Sequence, residues 1–269
     1  MNDDYVLTQD NYYSEESNKR YMSFHQYADF AGTLGQLGCE SRALAALNGE
    51  WEEPTNDAML VGSYVDSYFE GTLAEFKKNN PQIFTQKGEL KAQYKQAEKM
   101  IARCEEEPLF MAFMSGEKQK IFTANLFGCE WKCKLDSYIP DKAIVDLKTT
   151  ANLHKTWKVA DYGYVCFVEY WGYILQLAIY QKIVEINTGK KLPCYIVAIT
   201  KSDNPEPEII GIDQQSLDHA LNEVEMNMPS ILAVRNGDYE PTACGKCDYC
   251  IKNKRLTKAI HYNDLIFGE

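Results

Sequence analysis

Trp131-Lys-Cys-Lys-Leu-Asp136-Ser-Tyr-Ile-Pro-Asp-Lys-Ala-Ile-Val-Asp146-Leu-Lys148-Thr-Thr150 decides how the chain is read. It predicts two short strands joined by a tight turn. In the first, Trp131, Cys133 and Leu135 alternate with Lys132, Lys134 and Asp136. Pro140-Asp141 supplies the turn, since proline fixes φ and aspartate hydrogen-bonds its own backbone. In the second, a period of two sends Ile144, Asp146 and Lys148 to one face and Val145 and Leu147 to the other. A carboxylate and an ammonium on an otherwise apolar strand are costly to bury without a purpose. Asp146 follows Asp136 by ten residues, so a hairpin can bring the two carboxylates together. Two acids and a lysine converging at a strand end suit phosphodiester hydrolysis. The acids can hold Mg2+, which takes oxygen ligands, and the lysine can orient water or neutralise developing charge. An edge hairpin with a surface ion pair explains an isolated Asp-x-Lys more simply, so the rest of the chain has to decide.

At 269 residues and 45% hydrophobic, the chain can bury a large core as one domain or as one domain with appendages. No apolar run reaches the length of a membrane span, and Met1-Asn-Asp-Asp-Tyr lacks the basic and apolar pattern of a signal. A cytoplasmic protein is therefore expected, and its nine cysteines favour thiols or metal ligands over a disulfide framework. The net charge of −11 argues against binding nucleic acid by bulk electrostatics. It leaves room for a nuclease, because a metal site itself concentrates carboxylates.

Outward from the central stretch, Ser23 caps a predicted short helix carrying Phe24, Tyr27 and Phe30, with His25 on its surface. Another helix is expected over Cys39–Asn48, stopped by Gly49. In the helix Asp57–Gly71, Met59, Gly62, Val65, Asp66 and Phe69 fall near one face. Glu70 stands one turn beyond Asp66, so either acid can face a metal or merely solvent. The segment 72–108 reads as polar and then helical through 91–103, a solvated helix. Gln119–Phe127 alternates like a strand ended by Gly128, and Cys129 and Cys133 read as small core residues. After Lys148 comes an aromatic-rich run, then a long helix Val168–Ile186 on which Gln176 and Tyr180 share a face. Strands at 192–200 and 208–212 and a helix at 216–228, with His219 on its surface, complete the pattern.

Near the end, Cys244-Gly-Lys-Cys247-Asp-Tyr-Cys250 makes two overlapping CxxC knuckles. Thiolates at this spacing chelate soft or borderline metals, and Gly245 helps the backbone turn around an ion. A tetrahedral site needs a fourth ligand. Cys39 leads the candidates, with Cys104 and a histidine left open.

Taken together, these residues resemble the PD-(D/E)xK nuclease superfamily, and within it the RecB-like and RecE-like exonucleases of phage recombination. Asp136, Asp146 and Lys148 match the D…(D/E)xK core, and Gln176 with Tyr180 matches the QxxxY motif that follows it. Gly62-Ser-Tyr-Val-Asp66 stands where many relatives carry an upstream helix motif ending in histidine; here it ends in aspartate. Leu7-Thr-Gln-Asp-Asn-Tyr-Tyr and the stretch after Cys39 look like the phage-derived branch. In some RecB-like relatives one upstream cysteine joins three C-terminal ones around an iron–sulfur cluster. Cys39 with Cys244, Cys247 and Cys250 resembles that order, with a more compact spacing that leaves a 4Fe-4S cluster and Zn2+ both open.

The resemblance implies a restriction-endonuclease-like α/β core, in which a central mixed β-sheet bearing Asp136 and Asp146 is flanked by the Asp66 and Gln176 helices. It implies a single nuclease domain over 1–269, with an N-terminal helical segment 1–55 and a Cys-rich tail 240–269. The implied activity is that of a deoxyribonuclease, an exonuclease dependent on Mg2+ (or Mn2+). Asp66, Asp136 and Asp146 would hold the metal, Lys148 would position water, and Gln176 and Tyr180 would orient Lys148 or the scissile strand. The implied partner is DNA at duplex ends, with no membrane. By analogy with phage recombination pairs a single-strand annealing protein is a further partner, and a homo-oligomer is compatible. The alternative is a non-catalytic, metal-stapled DNA-binding scaffold that has kept a nuclease fold.

Overall fold

The computed structural model describes residues 5–54 and 56–263. Residues 1–4, 55 and 264–269, which the expected bounds 1–55, 240–269 and 1–269 include, lie outside the described residues, as does most of the N-terminal stretch read for a signal. Ahead of the first strand come α1 (Glu15–Arg20), α2 (Phe24–Ala31), α3 (Glu40–Leu47), α4 (Asp57–Glu70), α5 (Leu73–Asn79), α6 (Ala92–Glu105) and α7 (Pro108–Phe113). Their ends follow local chemistry. The side chains of Ser23 and Asn56 accept from backbone N–H groups of the first turns of α2 and α4. Gly71 closes α4 in the left-handed conformation.

The central stretch does not form one continuous hairpin. β1 (Lys120–Leu126) and β2 (Cys129–Leu135) pair as a separate antiparallel ribbon. Its turn, Phe127-Gly128, has both residues at positive φ, which suits the right-handed twist of a tight hairpin. At Asp136 the chain bends out of this ribbon and enters β3 (Ser137–Ile139), which turns back into β4 (Ala143–Thr150). The Ser137↔Val145 pairing still sets Asp136 opposite Asp146. The expected convergence survives, although the strand bearing Asp136 divides between two sheets.

Beyond β4 lie a small ribbon of β5 (Trp157–Val159) and β6 (Gly163–Val165), then α8 (Phe167–Tyr170) and α9 (Tyr173–Thr188). The single helix expected over 168–186 is broken. Gly172 adopts φ 72°, and a Cβ there would stand 2.7 Å from Thr33 Cγ2. β7 (Cys194–Thr200) pairs parallel to β4, and β8 (Pro207–Ile212) pairs antiparallel to β7. The main sheet, ordered β3-β4-β7-β8, is therefore mixed. α10 (Gln214–Arg235) runs past the expected stop at residue 228, through Pro229. An interior proline costs a helix about 3 kcal/mol. Here Met228, Ile231 and Val234, all buried in the core, favour continuation. α11 (Asp248–Lys252) ends the described elements.

Alternation along β4 sorts the two sides of the sheet. Ile144, with Ile196 and Ala198 of β7, packs into the core built on α2, α9 and α10. Val145, Leu147, Val197 and Ile199 pack on the opposite side against α4, α6 and α7. The helix expected to be solvated is thus amphipathic, since α6 buries Tyr94, Ala97, Met100, Ile101 and Cys104. On α4 the buried face runs through Val61, Tyr64 and Val65, while Met59 is exposed. No helix among the described residues is long and apolar enough to cross a membrane.

Alternation misplaces one residue. Lys132 is 1% exposed, and its Nζ donates to Tyr12 O at 2.5 Å, Ser17 Oγ at 2.9 Å and Asn18 Oδ1 at 2.8 Å. Burial, together with Arg235 and Lys134, pushes its pKa down to about 8. This ammonium binds the N-terminal segment to β2 entirely through neutral acceptors. Lys132→Met should therefore cost about 3 kcal/mol, through three lost bonds and buried acceptors left bare. In a chain of this size that lowers Tm by roughly 6–12 °C. Calorimetry checks it against Lys134→Met on the same strand, which should melt close to wild type.

Candidate active site

Asp136, Asp146, Lys148, Asp66, Gln176 and Tyr180 line one cleft of about 680 Å3, bringing four separate elements together. β4 supplies Asp146 and Lys148 from the face that also carries Ile144, and the bend before β3 supplies Asp136. α4 reaches the site because Gly62 lets it lie close to β4: a Cβ there would stand 3.0 Å from Thr149 Oγ1. α9 brings Gln176 and Tyr180, both buried.

The hydrogen bonds are specific. Asp136 Oδ2 accepts from Leu147 N at 2.8 Å, and its Oδ1 accepts from Gln119 Nε2 at 3.3 Å. Asp146 Oδ1 accepts from Gln176 Nε2 at 2.7 Å. The glutamine amide thus rests on Asp146, whereas the expectation placed it on Lys148 or a substrate strand. Lys148 Nζ lies 2.7 Å from Asp146 Oδ2 and 4.7 Å from the centre of the Tyr173 ring. Asp146 Oδ2 is thus buried against the Lys148 ammonium, which is its ion-pair partner.

Charge is crowded here. Burial first, and Asp136 next, push Asp66 well above the usual carboxylate range, with Glu70 and Asp146 adding to it against Lys148. Burial and then Asp146 raise Asp136 to about 6. Burial opposes the charge on Lys148, but Asp146 outweighs it and the pKa rises, so the ammonium is secure at neutral pH. Burial, then Tyr12 and Asp146, raise Tyr180 and keep its hydroxyl neutral.

Three mutually repelling carboxylates facing one cleft suit a hard divalent cation, which takes oxygen ligands and lowers that repulsion. Asp66, Asp136 and Asp146 fit such an ion by donor type. As they stand they are not drawn together to the degree the cysteines are. Among the described residues, only Cys39, Cys244, Cys247 and Cys250 bring three or more ligand atoms within 4.8 Å of one another. Glu70 sits at the rim, half-buried, accepting from Thr72 Oγ1 at 3.2 Å.

Several cleft residues have no signal in the sequence. His25, expected merely on a surface, keeps solvent contact, yet cleft walls surround it and, with Lys148, push its pKa down. Gln119 stands in the turn just ahead of β1, and its Nε2 donates to Asp136 Oδ1. Tyr12 arrives from the N-terminal segment.

The cysteine quartet lies apart from the cleft. Cys39 Sγ is 3.6 Å from Cys250 Sγ, and Cys244 Sγ is 3.9 Å from Cys250 Sγ. The N–H groups of Lys246 and Cys247 point at Cys244 Sγ, at 3.5 and 3.3 Å. Burial opposes the Cys244 thiolate, but these donors outweigh it and bring its pKa down to about 6. Gly245, at φ 71°, makes the turn. Cys104 stays in the α6 core, where burial pushes its thiol up to about 12, so it is no member of the quartet.

A family model described as "PDDEXK-like domain of unknown function (DUF3799)" matches residues 23–253. A crystal structure of a protein from Eubacterium rectale, named "Putative exonuclease", is 55% identical, with a TM-score of 0.96 over 98% of this chain and 100% of that one. No curated protein matches the chain.

Proposed function

Because the chain belongs to the PDDEXK-like family of DUF3799 domains, we propose that it is a metal-dependent DNA exonuclease that hydrolyses phosphodiester bonds at duplex ends. The observation that carries this reading is the pairing of Asp136 and Asp146 across one cleft, with Lys148 held 2.7 Å from Asp146 Oδ2. The name of the Eubacterium rectale neighbour supports the exonuclease part. Phage-type recombination or end processing in the cytoplasm, with a single-strand annealing protein as partner, is the setting the motif resemblance supports.

Asp136 and Asp146 would hold Mg2+ or Mn2+, with Asp66 completing the set. When bound, such an ion neutralises phosphate charge and makes water a better nucleophile. The chain's own residues do the rest. Leu147 N and Gln119 fix Asp136, and Gln176 fixes Asp146. Lys148, charged at neutral pH, acts as a donor and cation that positions water and meets charge developing on the phosphate. It does not serve as a base. Tyr180 fills the cleft floor beside Asp146.

At the quartet we propose a single zinc ion. Four sulfurs at ~2.3 Å from one tetrahedral ion stand about 3.8 Å apart. The two sulfur separations of 3.6 and 3.9 Å match that spacing. A four-iron cube puts each cysteine on a different iron and spreads the sulfurs much further.

End-labelled duplex incubated with Mg2+ or with EDTA tests the function. Release of nucleotides with Mg2+ alone is expected; tight binding without hydrolysis would favour the scaffold reading and overturn this one. Lys148→Ala should lower kcat about 100-fold while moving DNA affinity far less, as for a group acting in the transition state. Single-turnover rates beside fluorescence-anisotropy binding separate the two.

A further inference from the structure

Gln119 is a buried residue of the cleft with a polar atom that lacks a hydrogen-bond partner among the described residues. It is 8% exposed, and its Oε1 has no hydrogen bond among the described residues. Its orientation is not arbitrary. Nε2 donates to Asp136 Oδ1, and the flipped amide would set two acceptor oxygens against each other. The two terminal atoms of an amide share one carbon, so Oε1 sits beside the Asp136 carboxylate. Burying an amide oxygen without a donor costs about 1–3 kcal/mol.

The backbone carries a second cost. Gln119 has φ 52°, left-handed for a residue that is neither glycine nor asparagine. The turn is held by neighbours: Gln9 Nε2 donates to Gln119 O at 2.5 Å, and Glu117 pairs with Tyr138 of β3. Strain of this kind persists where surroundings over-determine it, and it gathers at functional sites. A glycine would be easier at this position, but it would carry no amide.

We propose that Gln119 is a positioning residue for the divalent cation: Nε2 orients Asp136, and Oε1 contributes a neutral oxygen to the cation's shell. The amide carbonyl is a hard oxygen of the type Mg2+ and Mn2+ accept, and it adds no charge to a cleft already crowded with carboxylates. This rests on the metal site proposed above.

The test measures Mn2+ binding by electron paramagnetic resonance of the free ion and by calorimetry, without DNA. Wild type, Gln119→Gly, Gln119→Glu and Asp146→Asn are compared, each with its Tm. Gln119→Gly should weaken Mn2+ binding about 10-fold, the usual scale for a residue supporting a metal ligand. Its Tm should hold or rise, because glycine relieves the left-handed backbone. Gln119→Glu, which restores an oxygen, should recover binding relative to Gln119→Gly. If wild type binds Mn2+ no better than Asp146→Asn, the metal site itself fails. If wild type binds and Gln119→Gly matches it, the site stands and the role of Gln119 is overturned. Equal weakness of Gln119→Glu and Gln119→Gly overturns the oxygen contribution.

Discussion

Asp146→Asn should yield a folded protein that no longer cuts DNA. The substitution keeps the shape of the side chain and an oxygen for Gln176 Nε2 to donate to. What it removes is the charge, and it sets an amide NH2 where Asp146 Oδ2 now faces Lys148 Nζ. A metal-binding acid supplies several kcal/mol of charge stabilisation, so hydrolysis should fall at least ~100-fold. Stability should move little, because two effects oppose. Losing the charge relieves Asp136 and Asp66, whose pKa values Asp146 helps to raise. It also leaves the Lys148 ammonium without its counter-ion. Single-turnover rates with Mg2+ and a melting curve check both halves. Near-wild-type cutting by Asp146→Asn would reject the site; lost cutting with a collapsed Tm would point to structure instead.

The residues that decide this result were readable because strands alternate. Period two alone put Asp146 and Lys148 on one face and Val145 and Leu147 on the other, and the sheet buries those faces in separate cores. Spacing likewise made the cysteine knuckle legible, since three ligands within seven residues have a local cause. Legibility ended where tertiary structure chose among local options. Asp136 is a bend between two sheets, which no alternation pattern reports. Lys132 follows a polar rhythm and is still buried, because the N-terminal segment arrives to satisfy it. At Gly172, where the expected helix breaks, Thr33, distant in sequence, occupies the space of a Cβ. Gln119 and His25 join the cleft through packing alone. Their sequence neighbourhoods are those of an ordinary turn and an ordinary helix.

Cys39→Ser and Cys247→Ser should lose the same single metal ion and melt together. Cys39 opens α3, 205 positions before Cys244, so an ion held by both closes most of the chain into one loop. Constraining a loop that long stabilises by about 5 kcal/mol in the chain-entropy account. The gain here is smaller, because the tail is also tied to α3 directly. Thr242 N donates to Glu40 Oε2 at 2.8 Å, and Ser41 Oγ donates to Pro241 O at 3.1 Å. Trp51 and Tyr249 meet edge to face at 5.5 Å. Loss of the ion should therefore lower Tm on the order of 10 °C and leave the cleft assembled. Metal analysis on protein purified without chelator should find one zinc per wild-type chain and none in either variant. Iron, sulfide and visible absorption would overturn the zinc assignment in favour of a cluster. If Cys247→Ser loses zinc and Cys39→Ser keeps it, the ion belongs to the knuckle alone and does not join the tail to α3.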